Sequence, residues 1–257
     1  AIKSSREWWV DFMHEACDTL PGYELLGEDW PRWVSQTEQK LAGLHTLPSS
    51  RGDTVLPAVA RGDLENIKIV DGAEWLIAPA LELNPDLLVT HRNLSRVIYG
   101  RRDCPPNWGY GDARATADAW WSAEWSTWHA RGLLGVVDYF EITNECGYAG
   151  QWEIDFTLRM IELANNAGIC LAVGSYNYGT PQVWEFVEMR PVWDAILATE
   201  CQPGKIHLIS IHIYEGVNGG EWLFWRWVKF MDALGPGYER LLFVVIKNTH
   251  SSHCSVA

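Results

Sequence analysis

Residues 138–145 read DYFEITNE, and the way this stretch ends decides how the rest of the chain is interpreted. Its aromatic and β-branched residues predict a β-strand, and Gly147 shortly after it predicts a loop. Asn144 and Glu145 then stand at the carboxyl-terminal end of that strand. In α/β barrels the side chains at this end face the ligand, so Glu145 is a candidate general acid or base. The alternative is an ordinary Asn-Glu pair at the surface end of a strand.

Composition narrows the class of protein. The 257 residues suffice for one barrel-sized domain or two small ones, and 47% hydrophobic residues suffice for a sizeable core. The net charge of −13 argues against a nucleic-acid-binding surface, which needs clustered Lys and Arg. No apolar run reaches the roughly 20 residues that span a bilayer, so neither nucleic acid nor membrane is an expected partner.

The aromatic and cysteine residues give weaker indications of function. The 16 Trp favour a carbohydrate site modestly, since indole rings stack on sugars, but many of them have helical spacing and are predicted to lie in the core. This core group is Trp120, Trp121, Trp125 and Trp128. The six Cys show no metal-ligand spacing and are predicted to be mostly free thiols. No signal-peptide pattern is present, and the compartment and the oligomeric state stay open.

Strands and helices alternate from residue 41 onward at a spacing of roughly 30 residues, which is typical of right-handed βαβ units and a parallel sheet. The predicted strands are residues 41–47, 66–70, 87–92, 138–145, 169–175, 206–214 and 241–246. We therefore predict an α/β fold, an incomplete (β/α)8 TIM-type barrel with about seven recognisable parallel strands. Residues 1–40 form a helical lead segment, and residues 41–257 form the incomplete barrel domain.

Polar residues recur at the predicted carboxyl-terminal ends of these strands. They are His45, His91, Arg92, Tyr176, Asn177, His212 and Tyr214, besides Asn144 and Glu145. Because the carboxyl-terminal ends of all strands meet at one face of a barrel, we expect these residues to share a site. The alternatives are a core position for His45 or Tyr214, and a structural ion pair for His91 and Arg92.

With these features the chain resembles the large clan of retaining glycosidases built on (β/α)8 barrels, which includes cellulases, mannanases, xylanases and β-glycosidases. Asn144-Glu145 at the fourth strand and His212-Ile213-Tyr214 at the sixth carry the resemblance. It implies that Glu145 is the acid/base and that Asn144 binds the sugar 2-hydroxyl. It also implies an oligo- or polysaccharide substrate.

The resemblance extends to further substrate-binding residues. His91, Arg92, Tyr176, Asn177, His212 and Tyr214 would shape the sugar subsite, and the loop aromatics Trp108, Tyr110, Tyr148 and Trp222 would stack on further sugar units. No cofactor is implied, because the chain has neither a Gly-rich phosphate loop nor a dinucleotide fingerprint.

The second catalytic carboxylate that the clan uses, the nucleophile, is not found in this sequence. A retaining mechanism needs a nucleophile about 5 Å from the acid/base, and the clan places it at the end of the seventh strand. Here Lys247 follows that strand, and no acidic residue follows Glu239. We therefore expect the chain to be truncated or frame-shifted after about Ile246. Glu215 would fit only an inverting arrangement.

Two alternatives to a glycosidase remain. One is a carbohydrate-binding barrel that kept this face but lost the nucleophile. The other is a metal-dependent barrel hydrolase using His45, His91 and His212, although the chain offers none of the His-x-His spacing such sites use. We predict no metal site.

Overall fold

The computed structural model describes residues 41–46, 52–64, 66–93, 103–176, 180–213 and 226–247. The predicted lead segment and the tail after Lys247 lie outside this part of the chain. The strands are β1 (Leu41–Thr46), β2 (Asn66–Val70), β3 (Leu88–Arg92), β4 (Tyr139–Glu141), β5 (Leu171–Tyr176), β6 (Leu208–Ile213) and β7 (Phe243–Lys247). The α-helices are α1 (Gly52–Ala60), α2 (Ile77–Leu83), α3 (Ala113–Ala130), α4 (Gln151–Ala167), α5 (Val183–Glu188), α6 (Arg190–Ala198) and α7 (Arg226–Leu234), and a 3-10 turn spans Glu74–Leu76.

The strands form a curled parallel sheet in which neighbours along the chain are neighbours in space. β2 to β6 pair in sequence order, and β1 and β7 flank them, each pairing with the other as well. Helices lie between successive strands, as parallel connections require. The predicted α/β class, with parallel strands and intervening helices, is confirmed.

A hydrophobic layer lies between the strands and the helices. Phe140 of β4 lies 4.2 Å, between ring centroids, from Trp128 of α3, and both are fully buried. Trp120 is buried and donates its indole N–H to the Ile142 carbonyl at 2.7 Å, which anchors the segment that follows β4. Trp121 and Trp125 pack against the same core. The predicted core role of this Trp group is confirmed.

Helix termini follow from local chemistry. Asp112 begins α3 by accepting the Ala115 backbone N–H at 3.0 Å. Gly168 ends α4 in the left-handed conformation with φ 65°, which costs a residue without a Cβ little. No helix in the described ranges is both long and apolar enough to cross a membrane.

The structure departs from the predicted elements at β4 and at one additional helix. β4 ends at Glu141 and not at residue 145, because the next backbone N–H groups leave the sheet ladder. Asn144 donates its N–H to the Asp103 carbonyl at 2.8 Å, and Glu145 donates to the Ser175 carbonyl at 2.8 Å. An unpredicted helix, α5, precedes α6, and its first turn is capped reciprocally by Gln182 and Glu185.

The prediction of mostly free thiols is wrong for four of the six cysteines. Cys104 is bonded to Cys146, and Cys170 to Cys201. The partners lie 42 and 31 residues apart in sequence, so no short spacing reveals them. The fold brings them together because each bond joins segments next to neighbouring strands.

Candidate functional site

A polar layer fills the inside of the curled sheet. The Lys68 ammonium of β2 lies 2.7 Å from Oε1 of Glu141 on β4, and the Ser210 hydroxyl of β6 donates to the other carboxylate oxygen at 3.1 Å. β2, β4 and β6 are not neighbours in the sheet, so these side chains meet across its interior. Contributions from alternate strands are how the interior of an α/β barrel is filled.

Charge in this layer is concentrated on Glu141. Burial opposes its ionisation, but the charges of Lys68 and Arg92 outweigh burial and hold the pKa of the Glu141 carboxyl well below its usual range. Burial lowers the pKa of Lys68 to about 7 in spite of its attraction to Glu141. The Arg92 guanidinium adds a second cation 3.5 Å from the same carboxylate. Glu141 is therefore an enclosed anion compensated from several sides.

His212 connects the polar layer to Glu145. Its Nε2 lies 3.0 Å from the Lys68 ammonium, and its Nδ1 lies 2.9 Å from Oε1 of Glu145. An ammonium only donates, so Nε2 accepts and the imidazole proton sits on Nδ1. His212 therefore donates to the Glu145 carboxylate and fixes its direction.

The side-chain amide of Asn144, the residue before Glu145, is held by two groups of opposite charge. Its Oδ1 accepts from the Arg92 guanidinium, and its Nδ2 donates to Oδ1 of Asp103 at 3.1 Å. Arg92 is almost fully buried, and Asn144 is buried with it. The amide is thus oriented before any ligand arrives.

Glu145 itself occupies a strained backbone position. Its φ is 56°, in the left-handed region that side chains other than Asn, Asp and His rarely occupy. Ser175, whose carbonyl accepts the Glu145 N–H, also has a positive φ, 42°. Such strain clusters at functional sites. The carboxylate is 26% exposed, so it is reachable from solvent while it is held by His212.

The structure brings together Arg92, Asn144, Glu145 and His212 of the predicted site residues, and separates others. His91 points the opposite way from Arg92, because successive strand residues alternate between faces. It lies 3.2 Å from Glu74 and packs edge-on against Phe140 in the helix layer.

Tyr176 is fully buried beside the Glu153 carboxyl of α4. Burial, reinforced by the charge of that carboxyl, raises the pKa of this Tyr well above its usual range. Asn177, Tyr214, Trp222 and the side chain of His45 lie outside the described residues.

The loop aromatics serve several roles. Trp108 donates to the Gly147 carbonyl at 2.6 Å and packs against Trp152, so it supports the loop that follows Glu145. Tyr148 donates to Glu188 at 2.6 Å and meets the exposed Trp184 edge-on. Tyr110 is 78% exposed, which leaves its ring free to stack on a ligand.

Sequence reasoning missed Lys68, Glu141, Ser210 and Asp103. Lys68 and Glu141 carried a usable signal, because each is a charged residue in the middle of a predicted buried strand. A charge at such a position needs a partner of opposite sign. The partner itself could not be read from the sequence.

No metal centre is formed by the residues that the structure describes: no three of their His, Cys, Asp or Glu side chains form a group that could hold an ion. His207, for example, uses both of its ring nitrogens in hydrogen bonds within the protein. Its Nδ1 accepts the Leu171 backbone N–H at 2.9 Å, and its Nε2 donates to Asn165 at 2.9 Å. Burial lowers the pKa of His207 to about 4, so it is a neutral structural residue.

Comparisons with known proteins add no family. No protein-family model matches the chain, and no curated protein matches it significantly. The arrangement of the site residues is therefore the basis for inferring function.

Proposed function

We propose that this protein is a glycoside hydrolase, or a large part of one, on an incomplete (β/α)8 barrel that acts on oligo- or polysaccharides by a two-carboxylate retaining mechanism. The observation that carries the proposal is the pairing of a partly exposed carboxylate, Glu145, with a buried imidazole that donates to it. Glycosidic cleavage needs a carboxyl group that first gives a proton to the leaving oxygen and then accepts one from water. Glu145 would play that part.

The neighbouring groups support a sugar ligand. Asn144 offers an oriented amide beside Glu145, and the Arg92 guanidinium behind it keeps that amide in place. A small number of fixed polar groups of this kind orients a ligand and gives a binding site its specificity. Asn144 would bind a hydroxyl group of the sugar.

The nucleophile has to come from another residue than Glu141. Although Glu141 shares His212 with Glu145, its side chain is 0% exposed and is bound by Lys68, so it can reach neither a sugar nor water. The clan position at the end of β7 is Lys247, and an ammonium would repel an oxocarbenium-like transition state. We therefore propose that neither Glu141 nor Lys247 acts as the nucleophile.

The test uses Glu145→Gln in the protein made from its confirmed genomic frame, assayed on a panel of aryl β-glycosides. We expect kcat/KM to fall by about 10²–10⁴ with a poorly leaving phenol and much less with dinitrophenol, which leaves without protonation. Glu82→Gln, on the exposed face of α2, is the matched control and should change neither. Equal losses for both leaving groups, or none, would remove Glu145 from the acid role.

A binding barrel without catalysis is the second candidate. The enclosure of Glu141 favours it, because the carboxylate that shares His212 with Glu145 is buried and bound by Lys68, so it cannot act as a nucleophile. Calorimetry with oligosaccharides beside a hydrolysis assay separates the two candidates. Binding without turnover in the confirmed reading frame supports the binding barrel, and turnover rejects it.

The two disulfides support an oxidising compartment for this protein, since thiols stay reduced in the cytosol of most organisms. Alkylation of the protein taken directly from its source, followed by mass spectrometry, tests this. We expect Cys104, Cys146, Cys170 and Cys201 to resist alkylation until a reductant is added.

A further inference from the structure

Asp103 holds Asn144 by both its backbone and its side chain. The Asp103 carbonyl accepts the Asn144 backbone N–H at 2.8 Å, and its carboxylate accepts the Asn144 side-chain amide at 3.1 Å. The next residue, Cys104, is bonded to Cys146, two residues beyond Asn144. The segment that begins at Asp103 therefore clasps the Asn144-Glu145 pair on both sides.

The clasp decides which way the Asn144 amide faces. A guanidinium can only donate, so the atom of Asn144 next to Arg92 has to be the carbonyl oxygen. A carboxylate can only accept, so the atom next to Asp103 has to be the amide nitrogen. Turning the amide over would set N–H against N–H and oxygen against oxygen. Arg92 and Asp103 therefore hold one orientation together.

This orientation defines what the amide can offer to a ligand. Asp103 uses one N–H of Nδ2, and Arg92 occupies Oδ1. Within the described part of the chain no acceptor binds the second N–H, which can donate to a ligand oxygen. The subsite therefore presents a hydrogen-bond donor, the second N–H of Asn144, next to the Glu145 carboxylate. It suits a hydroxyl or carbonyl oxygen and disfavours a protonated amine, which has no lone pair to accept with.

We propose that Asp103 is a positioning residue that turns the spare N–H of Asn144 toward a hydroxyl oxygen of a sugar bound at Glu145, and thereby selects hydroxyl over ammonium at that carbon. The proposal rests on the proposed function for the nature of the ligand. The orientation of the amide does not depend on it.

The first arm of the test needs no ligand. Asp103→Ala should shift the two side-chain amide proton signals of Asn144, assigned by comparison with Asn144→Asp, in a ¹H–¹⁵N spectrum. Asp103→Asn, which keeps an oxygen acceptor in place, should restore them in part. Asp112→Ala is the control: it removes the cap of α3 and lowers stability, yet should leave the Asn144 signals unchanged.

The second arm measures sugar binding by calorimetry with 4-nitrophenyl β-D-gluco-, galacto- and mannopyranosides, and with the monodeoxy and amino analogues of the tightest binder. For the wild-type protein we expect one hydroxyl whose removal, or replacement by an amine, weakens binding about five- to tenfold, the value of one hydrogen bond. In Asp103→Ala this discrimination should vanish, and in Asp112→Ala it should remain.

The outcomes separate the two proposals. If Asp103→Ala leaves the Asn144 signals where they are, or if a sugar binds with the same discrimination in both proteins, the positioning role is overturned. If the signals respond as expected and no sugar binds the wild-type protein, the positioning of Asn144 stands and the proposed function falls.

Discussion

Lys68 and Glu141 lie 73 residues apart in the sequence, yet the Lys68 ammonium is 2.7 Å from one carboxylate oxygen of Glu141 and 2.5 Å from the other. The Lys68 side chain is 1% exposed and that of Glu141 is 0% exposed. Water can stabilise neither charge, so each depends on the other. The pair joins β2 to β4 across the inside of the sheet, directly beneath His212.

Removing one partner of this pair should therefore be costly. We expect Lys68→Met to lower the free energy of unfolding by about 3–5 kcal/mol, because Glu141 is left buried with less compensation. Urea unfolding at neutral pH measures this. Arg61→Met breaks an ion pair with Asp63 whose side chains are 62% and 50% exposed, and should cost no more than about 1 kcal/mol.

The double variant sharpens the test. Lys68→Met combined with Glu141→Gln removes both charges and should recover part of the stability lost in Lys68→Met. If the two replacements are additive instead, the ion pair is not what stabilises the layer.

Ser175→Gly should stabilise the protein. Ser175 has φ 42°, which glycine adopts readily, and its buried hydroxyl finds no hydrogen-bond partner among the described residues. We expect a gain of about 1 kcal/mol in the free energy of unfolding. Ser126→Gly in the middle of α3 is the control and should cost about 0.5 kcal/mol. A loss in both variants would mean that the Ser175 backbone is not strained.

Glu153 should make stability fall as pH rises. Burial raises the pKa of this carboxyl from 4.5 to about 7, although the Ala149 N–H donates to it. Its contribution is thus complete below pH 4.5, where folded and unfolded chains are both protonated, and is lost as pH rises toward 7. The pKa difference corresponds to roughly 3 kcal/mol.

Glu153→Gln keeps an oxygen acceptor without the charge. We therefore expect the variant to gain stability over the wild-type protein at pH 8 and to show little difference at pH 4, in unfolding curves measured at both values. A constant difference at the two pH values would contradict the raised pKa.

The two disulfides should differ in their effect on the site. Cys104→Ser with Cys146→Ser, and Cys170→Ser with Cys201→Ser, should each cost about 2–4 kcal/mol, since the bonded residues are 42 and 31 positions apart. Only the first pair adjoins Glu145, so only its loss should shift the Asn144 amide signals. Calorimetric melting and the ¹H–¹⁵N spectrum measure the two effects. Equal spectral changes in both variants would contradict this division.

The alternation of strands and helices was readable from the sequence because buried parallel strands are short apolar runs between helical periods. Asn66–Val70 is predicted to the residue. The end of β4 was not predicted, because the backbone N–H groups of Asn144 and Glu145 donate to Asp103 and Ser175, which are distant from them in the sequence.

The site was only partly predictable for a similar reason. Asn144, Glu145, Arg92 and His212 stand at strand ends, where position alone indicates that they lie at one face of the barrel. Whether His91 or Arg92 faces inward depends on the register of β3. The sequence leaves this register open, because a shift by one residue exchanges the two faces of a strand. The cysteine pairs and the partner of Lys68 are contacts between distant parts of the chain, and no local pattern reports them.

Lys68 and His212 touch although 144 residues separate them along the chain. Contacts of such long range require most of the intervening sheet to be assembled, whereas helices form from nearby residues. The orientation of Glu145 is thus a late product of folding. A nicked or half-assembled molecule would keep its helical spectrum while Glu145 had already lost its orientation.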